Sequence, residues 1–324
     1  RKGLSEIVSA MRFDAGPPLY YWILHGWRMV LGESAAALRC LSLLFSIFTT
    51  VGIYGYARKF ITHTSAWLAA GFWAISPLAV YYSQSARNYT LLALLTVGLI
   101  YAVTAVMVSQ KKRHFGLALL FSTLLVYTHN VAWFLILSVC ILFVVFTRSQ
   151  KGILQAGRLF LIPFLLYLPW MPILFIQMQN THFTIQWIQD FWSPGILLVT
   201  PLVFIPGCFV PGYVGIPSFP AAVQFLCLVG WVALLVYWGL FRFKQHKKQA
   251  GFLALLIILG ILLPFIYSLV RSPVALPGRT DFFVYPVWAL LLGIILCDLK
   301  KSATAVLSLA IAVQCMAITG MDYT

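Results

Sequence analysis

Apolar residues in this chain gather into long runs, and short polar breaks separate them at regular intervals from residue 36 onward. The runs Trp67–Tyr82, Leu91–Val108, Phe252–Val270 and Phe282–Cys297 approach or reach the roughly 17 to 25 residues that cross a bilayer as a helix. Basic residues mark the breaks: Arg58/Lys59, Lys111/Lys112/Arg113, Arg148/Lys151/Arg158, Arg242/Lys244/Lys247/Lys248 and Lys300/Lys301, which together hold every lysine except Lys2. Cytoplasmic loops are enriched in such residues, so placing each cluster in the cytoplasm sets the direction of every span. Residues 36–57, 88–108, 130–147, 220–241 and 282–298 run inward. Residues 64–81, 115–128, 155–177, 251–270 and 303–320 run outward, giving about ten spans. The run 193–210 breaks this alternation, because a span there would carry Arg242–Lys248 to the outer side. Interrupted by Pro194, Pro201 and Pro206 and followed by Pro211, it is expected to be re-entrant or to lie in the outer leaflet. Irregular backbone at that depth must be buried in protein or line a cavity.

Before the first run, Gly3–Phe13 places Leu4, Ile7, Val8 and Met11 at helical spacing, with Lys2, Glu6, Ser9 and Arg12 on other faces. This pattern predicts an amphipathic helix lying in the membrane interface. Pro17-Pro18 ends it, because proline cannot supply the donors a continuing helix needs. No apolar core follows Arg1-Lys2, so these residues do not read as a signal peptide. The polar opening predicts that the chain begins partway into a longer protein.

Composition agrees with the pattern. The 324 residues are 62% hydrophobic and only 9% charged, with a mean hydropathy of +0.94, whereas soluble domains carry about 25% charged residues. An all-α polytopic membrane protein follows, expected to form one domain over 1–324. The net charge of +15 sits in the breaks between spans, without interleaved aromatics or a basic groove, which argues against nucleic acid as a partner. Cys40, Cys140, Cys208, Cys227, Cys297 and Cys315 all lie in apolar stretches without paired spacing and read as small buried hydrophobes.

The same alternation sorts the rarer polar residues. Glu6, Asp14, Arg28, Glu33, Arg39, Arg87, His182, Asp190, Arg271, Arg279 and Asp281 fall at the outer edge. Arginines there run against the positive-inside bias, so an anionic ligand is expected on that side. With only 7 acids in the chain, Asp14 beside Pro17-Pro18 and Tyr20-Tyr21-Trp22 is the first chemical candidate. It is either a solvated acid at a helix end or a carboxylate able to bind an acceptor hydroxyl or a divalent metal. Arg87, next to Tyr89 in Pro77–Tyr89, reads as an arginine snorkelling from an aromatic belt or as a bidentate phosphate ligand. Arg279 closes the last large outer loop as a second possible phosphate contact, and Arg39 calls for an acid or an anionic ligand. His129 hinges two short spans, where a capping or hydrogen-bonded structural role is the plainer account. Trp187 in the outer loop could stack on a sugar or simply anchor at the interface. Asn88-Tyr89-Thr90 formally matches a glycosylation sequon and, at a membrane edge, reads as chance. No Gly-rich phosphate loop, Ser/His/Asp grouping or metal-ligand spacing is present, so a soluble nucleotide sugar is a poor candidate donor. A transporter or flippase for lipid-linked sugars and a non-catalytic scaffold remain as rivals. A transporter should carry polar residues near mid-membrane.

The order of these pieces resembles one enzyme family. Asp14-x-x-Pro17-Pro18-Leu19 resembles the D-x-H-P-P-L of protein O-mannosyltransferases and the H-P-P-L-Y-Y of related bacterial enzymes. Gly32-x-Ser34 with Leu38-Arg39, Tyr54 and Arg58 resembles their next span. Tyr82-Ser83-Gln84-x-Ala86-Arg87-x-Tyr89 resembles their Y-S-Q-E-A-R-x-Y. Tyr127-Thr128-His129 and the Arg279 loop follow in the same order. The resemblance is to GT-C-fold membrane glycosyltransferases of the protein mannosyltransferase and lipid A aminoarabinose transferase type, and it covers nearly the whole chain. It implies an inverting transfer of a sugar from a polyprenyl-phosphate donor to a lipid, glycan or protein acceptor. The site would face outward from the bacterial inner membrane. It also implies roles: Asp14 in catalysis; Arg87, Arg279, Arg39 and Tyr89 at the donor phosphate; Tyr20, Tyr82, Gln84, His129 and Trp187 toward substrate or acceptor. No cofactor is certain from it, and a divalent metal ion is possible. Gly16 stands where the family has His, and Ser85 where it has Glu, so any role of those side chains is absent or moved. The family's acidic pair lies upstream of the interfacial helix, which places the expected base before Arg1 and makes Asp14 a second acid of the site.

Overall fold

Each polar break in the chain ends one helix and starts the next. In this computed structural model, residues 3–14, 16–180, 186–197, 200, 221–242, 246–299 and 301–321 are described. The helices are α1 (Leu4–Ala10), α2 (Leu19–Leu31), α3 (Ala35–Phe60), α4 (His63–Ile75), α5 (Pro77–Ser83), α6 (Tyr89–Ser109), α7 (Lys112–Val126), α8 (Ala132–Thr147), α9 (Gln150–Tyr167) and α10 (Met171–Gln179). Further helices span Gln186–Phe191, Ala221–Phe241, Lys247–Val270, Tyr285–Cys297 and Lys301–Met321. No strand occurs among the described residues. Hydroxyl side chains cap three of the starts. Ser34 accepts from Ala37 N, Thr62 from Ser65 N and Ser149 from Gly152 N, at 3.0–3.1 Å, each satisfying a donor the helix cannot.

The predicted span limits match the helices to within a few residues, with two refinements. The run 64–81 breaks at Ser76, where Pro77 starts α5. The run 155–177 is carried by one apolar helical stretch from Gln150 to Gln179, with a 3-10 turn at Leu168–Trp170. Among the described residues, four helices are long and apolar enough to cross a bilayer: Ala35–Phe60, Tyr89–Ser109, Gln150–Gln179 and Lys247–Val270. Ala132–Thr147, Leu228–Phe241, Phe282–Cys297 and Lys301–Met316 are apolar but shorter. Residues 201–210 of the expected re-entrant segment lie outside the described residues.

The helices form a bundle in which α3 packs on α4 and α6, α6 on α7, α8 on α9 and on Lys247–Val270, and α4 on Tyr285–Cys297. α6 and Tyr285–Cys297 occupy its centre and are buried along most of their length. The outer helices expose large apolar side chains such as Val51, Trp67, Leu161 and Val270, a surface suited to lipid. Inside, Gly293 lets two helices touch backbone to backbone. A Cβ there would lie 2.7 Å from Ser65 O and 2.8 Å from Ala69 Cβ, the close approach that small residues allow in membrane bundles. Gly293→Val is therefore expected to cost about 1–3 kcal/mol by overpacking, read as a lower melting midpoint in detergent. An unchanged midpoint would contradict this packing.

Basic groups gather at one end of the bundle. Lys59 Nζ donates to Tyr101 OH (2.7 Å), and His114 lies within electrostatic range of Lys59, Lys111 and Arg113. Thr62 meets Cys297 (3.4 Å), and Trp238 Nε1 donates to the buried Asp298 (2.9 Å). Among the described residues, Cys40, Cys140 and Cys297 are not in disulfides.

Candidate active site

At the opposite end, the chain bends between α1 and α2. A 3-10 turn, Met11–Phe13, stops at Asp14, whose backbone is extended (φ −112°, ψ 162°). Gly16, Pro17 and Pro18 are buried. Gln177, far along the chain at the end of α10, donates its Nε2 to both Met11 O (2.7 Å) and Gly16 O (3.1 Å). It thereby clamps the backbone on either side of Asp14. Leu19 N donates to Tyr127 O (3.0 Å), and Asn88 Nδ2 donates to Thr128 O (2.8 Å). The bend, the start of α6 and the α7–α8 hinge are thus tied into one unit.

The half-buried Asp14 carboxylate accepts a hydrogen bond from Tyr21 OH (3.2 Å). Burial pushes the Tyr21 phenol above its ordinary pKa, Asp14 adds to the shift and Arg87 opposes it. Tyr21 therefore stays protonated as a donor. Arg87 is exposed and acts electrostatically on both Tyr21 and Tyr89. Tyr89, buried at the first turn of α6, receives Arg279 Nε on its hydroxyl (2.8 Å). Its ring lies 4.4 Å from Tyr82 and 6.0 Å from His129, centroid to centroid.

Arg279 reaches Tyr89 from a loop that is itself fastened. Gly278 adopts φ +74°, a left-handed turn that glycine makes without strain, and its carbonyl accepts from Tyr82 OH (2.7 Å). Thr280 Oγ1 accepts from Leu276 N (2.7 Å). Upstream, the Ser268 hydroxyl donates to Pro264 O (2.7 Å) and accepts from Val274 N and Ala275 N (both 2.9 Å).

His129 Nδ1 accepts from Val131 N (3.2 Å), so the neutral ring carries its proton on Nε2. Burial first and the Arg279 charge second lower its pKa to about 4, against an opposing effect of Asp14. The imidazole is therefore an uncharged donor at neutral pH. It lines a cavity of about 560 Å³ whose other walls include Trp133, Phe134, Gln177, Tyr267 and Arg271.

Asp14, Arg87, Tyr89, Tyr82, His129 and Arg279 thus converge from four stretches of chain. Other candidates are placed differently. Tyr20 is fully buried, with its hydroxyl on Ser42 (2.8 Å), a packing position. Arg39 is exposed one turn before Ser42 and forms no ion pair among the described residues. Gln84 is exposed at the C-terminal cap of α5. Trp187 belongs to the helix Gln186–Phe191 and its side chain lies outside those described, as does His182. Two residues escaped the sequence reading. Tyr21 was visible only as the second ring of a Tyr-Tyr pair, and Gln177 carried no signal. No three His, Cys, Asp or Glu side chains come together among the described residues, so these residues do not form a metal-binding set, although Asp14 could supply one ligand.

The family model for dolichyl-phosphate-mannose-protein mannosyltransferases matches residues 15–175, just under half of the chain. ArnT from Cupriavidus metallidurans bound to undecaprenyl phosphate matches 96% of this chain with a TM-score of 0.62 and 16% identity. The chain has the GT-C fold. ArnT in the apo state matches 92% of it (TM-score 0.59, 15% identity). The Archaeoglobus fulgidus oligosaccharyltransferase in complex with Zn and sulfate matches 96% (TM-score 0.52, 14% identity). The chain spans 58%, 55% and 45% of those three proteins, respectively. No protein of curated function matches its sequence. Its long apolar helices make it an integral membrane protein.

Proposed function

We propose that this chain transfers a sugar from a polyprenyl-phosphate donor to a lipid, glycan or protein acceptor, with inversion, at the outer face of a bacterial inner membrane. The observation that carries this reading is the approach of two arginines, one of them fixed on Tyr89, to the end of the bundle that holds Asp14. The acceptor oxygen forms a bond to the anomeric carbon as the carbon–oxygen bond to phosphate breaks. The phosphate leaves with one more negative charge, which Arg87 and Arg279 are placed to neutralise. The acceptor's proton goes to a carboxylate, and Asp14, held by Tyr21, either takes it or orients the hydroxyl. Neutral His129 offers Nε2–H to a sugar or acceptor oxygen in the cavity. The C. metallidurans ArnT structure, which holds undecaprenyl phosphate, supports a lipid-phosphate donor. The clustering of these groups at one end of the bundle favours transfer over transport across it.

Purified protein in liposomes, given a radiolabelled polyprenyl-phosphate sugar and candidate acceptors, should form labelled product. Movement of the donor across the bilayer without product would replace this reading with that of a flippase. The face is tested separately: single cysteines at Lys247 and Trp187 should be labelled from opposite sides of the membrane. Labelling from the same side would overturn the alternation of spans.

A further inference from the structure

The bend at Asp14 is short of donors. Pro17 and Pro18 carry no backbone N–H, and carbonyls buried around them need partners from elsewhere. Within the bend, Asp14 N donates to Met11 O at 3.2 Å. The same carbonyl takes a second, shorter bond from Gln177 Nε2 (2.7 Å), and that nitrogen also donates to Gly16 O (3.1 Å). A single nitrogen thus holds the main chain on both sides of the acid. Asn180, which caps the same helix, α10, donates Nδ2 to Arg12 O (3.3 Å). On the other side, Gly16 is seated against Asn88: a Cβ there would stand 3.6 Å from Asn88 Nδ2. Few side chains could replace Gln177. A hydroxyl has one hydrogen to give, and Lys or Arg would bring a charge that pairs with the carboxylate, whereas a primary amide gives two hydrogens from one neutral nitrogen. Gln177 is 4% exposed. With Leu174 and Met178 of α10 it also forms part of the wall of the cavity of about 560 Å³ that His129 lines.

Resting on the reading of Asp14 as the acid that receives or orients the acceptor hydroxyl, we propose that Gln177 is the positioning residue of that acid: it fixes the Asp14 carboxylate relative to the cavity and acts on transfer through it. Asp14 lies between two helices instead of on one, and its carboxylate is half-buried with Tyr21 OH at 3.2 Å. Tyr21 holds the side chain, and Gln177 holds the main chain from which it hangs. Because Gln177 also stands in the cavity wall, the acid and the cavity share α10 as a common support. A group that takes a proton must sit within hydrogen-bond reach of it, and a misplacement of about 1 Å can lower a rate by about 10²-fold. Without the amide, Met11 O and Gly16 O each lose a donor, and the main chain at Asp14 is free to drift from the cavity.

Gln177→Met keeps the length of the side chain and removes the donor. Single-turnover transfer from a radiolabelled polyprenyl-phosphate sugar, measured on the intact protein, should slow by about 10–10²-fold, with donor Kd changed by less than about twofold. The deciding measurement is the same substitution in Asp14→Asn. Substitutions that act through one group do not add, so Gln177→Met should slow the Asp14→Asn chain by less than about threefold. An equal loss in both backgrounds would mean that the amide supports the fold or the donor site in general, and would overturn the proposal. Full activity of Gln177→Met would overturn it as well. Should Gln177→Met not fold, Asn180→Ala removes the more exposed bond to Arg12 O and serves the same comparison. Its expected loss is about threefold, the equivalent of one neutral hydrogen bond, and is absent in Asp14→Asn; an equal loss in both backgrounds would again overturn the proposal. Full activity of Asp14→Asn itself would instead strike the catalytic reading of Asp14.

Discussion

Arg279→Lys should lower kcat/KM for sugar transfer by about 10²–10³-fold, the range seen when one preorganised donor to a developing anion is lost. A guanidinium can hold Tyr89 OH through Nε, as here at 2.8 Å, and still present its terminal N–H groups in another direction. An ammonium has a single nitrogen at the end of a flexible stem and cannot do both. Charge is conserved in this substitution, so the loss reports geometry. Tyr89→Phe keeps the ring against Tyr82 and His129 while removing the anchor, and should cost about tenfold, the equivalent of a hydrogen bond to a charged group. Initial rates with a radiolabelled polyprenyl-phosphate sugar would measure both. Full activity of Arg279→Lys would remove Arg279 from the phosphate site.

Asp14→Asn is expected to slow transfer by about 10²–10⁴-fold while donor binding persists, the span attributed to general acid–base assistance. The amide is nearly isosteric and its oxygen can still accept from Tyr21 OH, so the bend clamped by Gln177 should survive. What disappears is the ability to take a proton or to hold an acceptor hydroxyl by charge. Tyr21→Phe should have a smaller effect in the same direction, because it loosens the carboxylate without removing it. Single-turnover rates alongside donor affinity would separate chemistry from binding. A fully active Asp14→Asn would end the catalytic assignment at this end of the chain.

The helices were legible because their limits are set by local chemistry. Apolar runs must be helical to satisfy their backbone in lipid, and Ser34, Thr62 and Ser149 mark helix starts in the sequence itself. Arg87, Tyr89, His129 and Arg279 were legible as candidates because polar residues at an apolar edge are few. Their mutual contacts were not. The Arg279–Tyr89 bond joins residues 190 positions apart, and nothing local specifies it. Gln177 resembled the start of a polar loop, yet it is buried and fixes the backbone on both sides of Asp14. Tyr20 and Tyr21 looked equivalent in sequence. A helix turns by about 100° per residue, which sends Tyr20 to Ser42 in the core and Tyr21 to Asp14. The sequon at Asn88 is accounted for by packing: its amide is 8% exposed and committed to Thr128 O.

Ser268 has a thermodynamic consequence for ligand association. One hydroxyl is engaged with Pro264 O, Val274 N and Ala275 N, so the strand of loop leading to Arg279 is already ordered before any donor arrives. Freezing a loop and a long side chain on association is a main opposing term in affinity. Here that ordering belongs to folding. Calorimetry of donor association should accordingly show little unfavourable entropy from the protein, and a Ser268→Ala chain should bind with a more negative entropy although the hydroxyl touches none of the reacting groups.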